Sequence, residues 1–188
     1  MSHWLRANKI CLNTKKTEQV IFRSKQKIVT KKQLTTNVRY LGVIDQHLNW
    51  DRHIKTILPK LSCAIGMLAK IRYYVPKEIL LNVYHAIFNS HLTYGSQVWG
   101  QANNEQMKKL GILQNKALRI IDFKPPREST NKLYIDSKIL KHKDQIMISN
   151  CLLAFSYLKG LLPSSFQKFL TPASETHEHD TKSTKLKF

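Results

Sequence analysis

From Trp50 onward apolar residues return every three or four positions, and this periodicity restricts the chain more than any other feature. Ile54, Leu58, Leu61, Ile65 and Leu68 fall on one side of a helix whose start Asp51 is placed to cap. Pro59 lies inside that pattern and predicts a kink or a restart, with Gly66 as a second weak point. Pro76 suits the first position of a second helix, which carries Ile79, Leu80, Val83, Tyr84, Ile87 and Phe88 along one side. The segment LTYGSQVWG, Leu92 to Gly100, reads as a glycine-bounded connector whose aromatics pack back on the helices.

A third helix spans about Asn103 to Asp122. Projected at 100° per residue, Met107, Leu110, Leu113, Ala117, Leu118, Ile120 and Ile121 form one broad apolar side. Lys108, Lys109, Lys116 and Arg119 gather opposite, with Ile112 as the single apolar intruder. Such a face is either an ordinary solvated surface or a stripe that meets phosphates. Pro125-Pro126 ends the element. Residues 131–160 read as two further helical pieces, the second with Ile146, Ile148, Leu152, Leu153, Phe155 and Leu158 as core candidates. Gly160 and Pro163 close it, and the remainder has no periodicity.

The first fifty residues follow a different pattern. A helix-like run (Trp4, Leu5, Ala7, Ile10, Cys11, Leu12) leads through a polar turn to a short β-favouring run, Val20-Ile-Phe22. A basic link precedes a second strand candidate, Val38 to Ile44. Two short strands are marginal alone, so their edges suggest self-association with a second copy of the chain.

Charge narrows the class of partner. Thirty-one Lys and Arg face twelve Asp and Glu, a formal net charge of +19. Within residues 1–44 there are ten basic residues, and Glu18 is the only acid. A field of this sign and size attracts a polyanion, nucleic acid above all, through salt-dependent contacts. The alternative is a merely solubilising surface.

No catalytic constellation accompanies that charge. Two-metal nucleotidyl transfer needs carboxylates held close together, yet Glu18, Asp45 and Asp51 are scattered. His47 and His53 suit neither one strand face nor a neat helical pair, and read as packing or surface residues. The cluster His177-Glu178-His179-Asp180 is dense, but four fixed ligands make a structural zinc site and a loose tail does not fix them. No phosphate-binding loop of the GxxxxGK type occurs. Cys11, Cys63 and Cys151 lie far apart, which argues against a disulfide framework. No apolar run nears the roughly 18 residues of a membrane span, and MSHWLRANK lacks a signal-peptide core. A cytoplasmic or nuclear setting, without secretion or membrane, is the expectation.

The segments WLRANKICLNTKKTEQVIF, YLGVIDQHLNWDRHI, KLSCAIGMLAKIRYYVP, IFNSHLTYGSQVWG and LGILQNKALRII, in this order, carry a resemblance. Across roughly residues 4–170 the chain resembles the C-terminal part of the reverse transcriptase of non-LTR (LINE-like) retrotransposons. The resemblance implies a mainly α fold with a small β element: a partial polymerase palm, helix plus β-hairpin, followed by a helical thumb bundle. Residues 1–48 would be the palm end, 49–124 the thumb-like bundle, 125–170 connecting helices and 171–188 a flexible tail. Asn13, Lys15, Lys16 and Thr17 match a segment near the incoming nucleotide. Tyr40, Leu41, Gly42 and Val43 match the primer grip. Gly160, Leu162 and Pro163 fit a pattern beyond the thumb, while Asp180 and Lys182 depart from the family's ending.

The family's paired catalytic aspartates, which use magnesium ions, belong to motifs that lie before this region and are not in the chain. The resemblance therefore implies a polymerase fragment that is not an enzyme alone, needs no cofactor, and binds an RNA–DNA hybrid, RNA or DNA weakly and non-specifically. Lys15, Lys16, Lys108, Lys109, Lys116 and Arg119 are the residues expected to carry that binding. The alternatives are a domesticated nucleic-acid-binding or scaffold protein and a functionless retroelement remnant.

Overall fold

The computed structural model describes residues 2–11, 13, 15–18, 20–22, 37–39, 43–45 and 47–167. Most of these belong to helices. After α1 (Ser2–Ala7) and strands β1 (Asn37–Arg39) and β2 (Val43–Asp45) come α2 (Asp51–Ile71) and α3 (Lys77–Val83). A π-helical segment (Tyr84–Asn89) leads into α4 (Ser90–Thr93), followed by α5 (Ser96–Trp99) and α6 (Asn104–Ile121). The chain continues through α7 (Asn131–Asp136), α8 (His142–Leu158) and α9 (Ser164–Gln167).

The expected palm-plus-thumb arrangement is corrected by this architecture. Val20–Phe22 forms no strand, Ile21 and Phe22 are exposed, and α1 is a six-residue helix with Trp4 62% exposed. The only described strands are three residues each, paired antiparallel with Val38 opposite Ile44, and β2 lies against α2. A helix and hairpin packed as a palm-like unit is therefore not what forms among the described residues. Too little apolar surface is available there to bury. The expectation of self-association through orphan strands falls with it, since Val20–Phe22 is no strand and β1 and β2, three residues each, are too short to template a partner.

One core runs through the helices. Ile54, Leu61, Leu68, Leu80, Tyr84, Phe88, Leu110 and Leu118 are fully buried, and Leu133, Tyr134, Ile139 and Ile146 join the same cluster. The most extensive packing is between α2 and α6. Pro59 does not divide α2, which continues from Asp51 to Ile71 with the proline ring on the exposed side. Asp51 is not the cap: Trp50, at φ 61°, holds that position and Asp51 begins the helix. There its carboxylate faces the positive end of the dipole.

The second predicted helix is also built differently. Leu80, Tyr84, Phe88 and Leu92 are buried, each four residues from the last. In an α-helix that spacing drifts around the axis by about 40° per step. The π-helical segment widens the turn and offsets the drift, so the buried side chains stay aligned. Tyr84 and Phe88 stack with ring centroids 5.1 Å apart.

A polar cross-brace joins α6 to the helices beyond it. Fully buried Gln114 donates from Nε2 to Tyr84 Oη (3.1 Å) and to the Leu140 carbonyl (2.9 Å). Its Oε1 accepts from the His142 backbone N–H at 2.9 Å. Asn115 Oδ1 accepts from Tyr134 Oη (2.8 Å) and Thr130 Oγ1 (3.1 Å). Gly111 is needed here, because a Cβ would meet His142 Cε1 at 2.9 Å. Gly100 answers to the same demand, with Ile146 Cγ2 only 2.6 Å from its Cβ position.

Candidate nucleic-acid interface

α6 places its predicted cations unequally. Lys108, Lys109 and Lys116 are exposed around Ile112, which is itself 64% exposed. Lys109 Nζ pairs with Glu105 at 3.2 Å, one turn earlier, a surface pair of small energetic weight. Arg119 is half-buried, and its Nε donates to the Glu128 carbonyl at 2.8 Å. That contact anchors the loop after α6 and commits the Arg119 guanidinium to the fold. Asn103 caps the helix by accepting from the Glu105 N–H at 3.2 Å.

Lys15 and Lys16 sit elsewhere, in an exposed turn where Asn13 accepts from the Lys16 N–H and from Thr17 Oγ1. None of the extensive helix packings involves this part of the chain. Of the primer-grip-like residues, Tyr40, Leu41 and Gly42 lie outside the described residues, and Val43 opens β2. His177 to Asp180 also lie outside them.

The larger cationic face is on α2. Arg52, Lys55, Lys60 and Lys70 are all exposed, and no acid occurs between Arg52 and Lys77. At 100° per residue the four span an arc of roughly 140°, and Arg52 and Lys70 lie about 27 Å apart along one line. Within that arc Pro59, Cys63, Gly66 and Met67 are also exposed, and a Cβ at Gly66 would touch nothing within 4 Å. A helix face that carries cations along its length and no acid suits the approach of a phosphate backbone.

The stripe ends in an aromatic cluster. Arg72 lies over the rings of Tyr73 (4.6 Å to the centroid) and Phe123 (4.9 Å), and its guanidinium also donates to Tyr73 Oη. Tyr73 and Phe123 meet edge to face at 5.5 Å, so the C-terminal ends of α2 and α6 lie at the same end of the bundle. Tyr74 is 86% exposed and Lys124 and Arg127 stand close in sequence to Phe123. Lys77 is drawn away from this surface by its ion pair with nearly buried Asp122. Lys124 pairs with Glu128 at 3.2 Å, and exposed rings beside an exposed cation such as Arg127 are what stacking on unpaired bases requires. The sequence signal was present in IRYYVP and DFKPP, but only the fold brings the two together.

Two histidines are packed into the interior. His53 is buried between Trp50 and Trp99, and desolvation, aided by Lys60, holds its pKa below the usual value. His142 is likewise lowered by burial and by Lys143. Among the described residues no three His, Cys, Asp or Glu side chains come together to hold a metal ion, and no helix is long and apolar enough to cross a membrane.

The chain is 27% identical over 131 residues to the probable RNA-directed DNA polymerase from transposon X-element of Drosophila melanogaster, covering 64% of this chain and 14% of that protein. It is 31% identical over 114 residues to the RNA-directed DNA polymerase from mobile element jockey of the same fly, covering 57% and 12%. The jockey polymerase of Drosophila funebris is 31% identical over 116 residues, covering 60% and 13%. The chain is homologous to mobile-element reverse transcriptases. It spans only 12–14% of their length. No family model and no solved structure matches it.

Proposed function

We propose that the chain is a nucleic-acid-holding piece of a mobile-element reverse transcriptase, and that it grips the sugar–phosphate backbone without reading sequence. The observation that carries this reading is the acid-free face of α2, with Arg52, Lys55, Lys60 and Lys70 exposed along about 27 Å of helix. Lys108 and Lys116 of α6 add a second cationic line, and the Arg72–Tyr73–Phe123 cluster adds stacking at one end. Homology to RNA-directed DNA polymerases supports the choice of a primer–template as the polyanion. Residues 49–124 then act as a helical lobe that holds the backbone. Chemistry is not assigned to this chain.

Binding of a labelled RNA–DNA hybrid, followed by fluorescence anisotropy at increasing salt, tests the proposal. Affinity that is similar for hybrids of unrelated sequence and falls steeply with salt is the expected outcome. A folded chain that fails to bind at low salt overturns it. A hybrid bound no better than heparin would favour the second reading, a general polyanion-binding or scaffold protein.

A further inference from the structure

α8 is apolar on both sides, and only one of them is covered. Ile146 and His142 face the bundle, where Gln97 Nε2 also reaches the Ser149 carbonyl at 3.1 Å. On the opposite side Met147, Ile148, Leu152, Phe155 and Leu158 are between 41% and 70% exposed, with Cys151 exposed among them. Their spacing of three and four residues draws one continuous stripe. No charged residue occurs from Gln145 to Leu158. The core candidates assigned to this helix from sequence are thus corrected: of Ile148, Leu152, Leu153, Phe155 and Leu158, only Leu153 is even half-buried in a way that contributes to the inner side.

We propose that this face binds α8 of a second copy, antiparallel, about a twofold axis passing between Cys151 and Leu152. Charge complementarity selects that register. It sets Asp144 of each copy opposite Lys159 of the other, both exposed, and Ile148 opposite Phe155. The two ends of the stripe are then closed by opposite charges, and its middle is wholly apolar. The area is adequate as well. The stripe with Leu161 offers roughly 600 Å² per copy, so the pair reaches about 1,200 Å², the lower end for a stable specific interface. This pairing is independent of the nucleic-acid reading, since the cations of α2 and α6 take no part in it.

The full chain, treated with nuclease and held at about 0.3 M salt to screen its net charge, is measured by light scattering coupled to size exclusion. A mass of twice 21.9 kDa at tens of micromolar is expected. Phe155→Glu and Leu152→Glu each return the monomer with an unchanged helical circular dichroism spectrum. Asp144→Lys weakens dimerisation about tenfold, and adding Lys159→Asp restores it. A short bismaleimide joins two copies through Cys151, and Cys151→Ser abolishes the product. A wild-type chain that stays monomeric up to about 100 μM overturns the proposal and leaves the face to another segment or protein. So does a dimer that survives Phe155→Glu.

Discussion

α6 and α8 are helices of 18 and 17 residues in one bundle, and they use their apolar residues in opposite ways. Apart from Ile112, α6 keeps its apolar side chains on one side, and Met107, Leu110, Ala117, Leu118 and Ile121 are all buried. α8 has more apolar character overall but buries only His142 and Ile146. Hydrophobicity alone therefore does not say what a helix does. An amphipathic pattern states which way a helix faces; an apolar pattern all round leaves the direction to the neighbours.

Truncation separates the two helices most sharply. Leu110→Ala, in the core, costs about 2–5 kcal/mol of unfolding free energy. Leu152→Ala, on the bare side of α8, costs within about 0.5 kcal/mol when denaturation is followed at concentrations too low for association. Equal losses from the two would mean that the bare face is packed in solution as it is not here.

The cross-brace between these helices gives the next largest effect. Gln114→Leu strips the His142 N–H and the Leu140 carbonyl of their partner and costs about 2–4 kcal/mol. Gly111→Ala pushes a methyl into His142 and costs about 1–3 kcal/mol, with urea denaturation as the measurement.

Protonation probes the same contact more gently. The pKa values of His142 and His53 are lowered by burial from the ordinary 6.5, so the unfolded chain takes up protons first as pH falls. Stability is full above pH 6.5 and declines as pH drops below it, and His142→Gln flattens part of that decline. At the alkaline end burial pushes Tyr84 up to about 12, so stability falls as pH rises past 10. Midpoints of thermal unfolding across pH report both limbs.

The smallest effect distinguishes cations on one helix. Lys116→Gln weakens hybrid binding at low salt, whereas Arg119→Gln acts mainly on stability by freeing the Glu128 carbonyl.

How much of this was legible in the sequence follows from the same contrast. The α6 projection placed Met107, Leu110, Ala117, Leu118 and Ile121 inside and Lys108, Lys109 and Lys116 outside, because both sets obey one period. Gln114 was invisible: a polar residue in a buried position is explained only by partners 26 to 30 residues away. Pro59 looked like an interruption, but on the exposed side of α2 its ring displaces nothing in the core. The π-helical segment was hidden because a spacing of four reads locally as α-helical. Of the candidate interface, the cations of α6 were read directly. Those of α2 needed only the same projection, while the Arg72–Tyr73–Phe123 cluster needed the fold.

The most direct test of the central claim is the salt dependence of hybrid binding for the wild-type chain and for the variant with Arg52, Lys55, Lys60 and Lys70 all changed to Gln. If α2 meets the phosphates, the slope of log K against log salt becomes shallower by about 3 to 4 in the variant. A folded variant that keeps the wild-type slope would contradict the account.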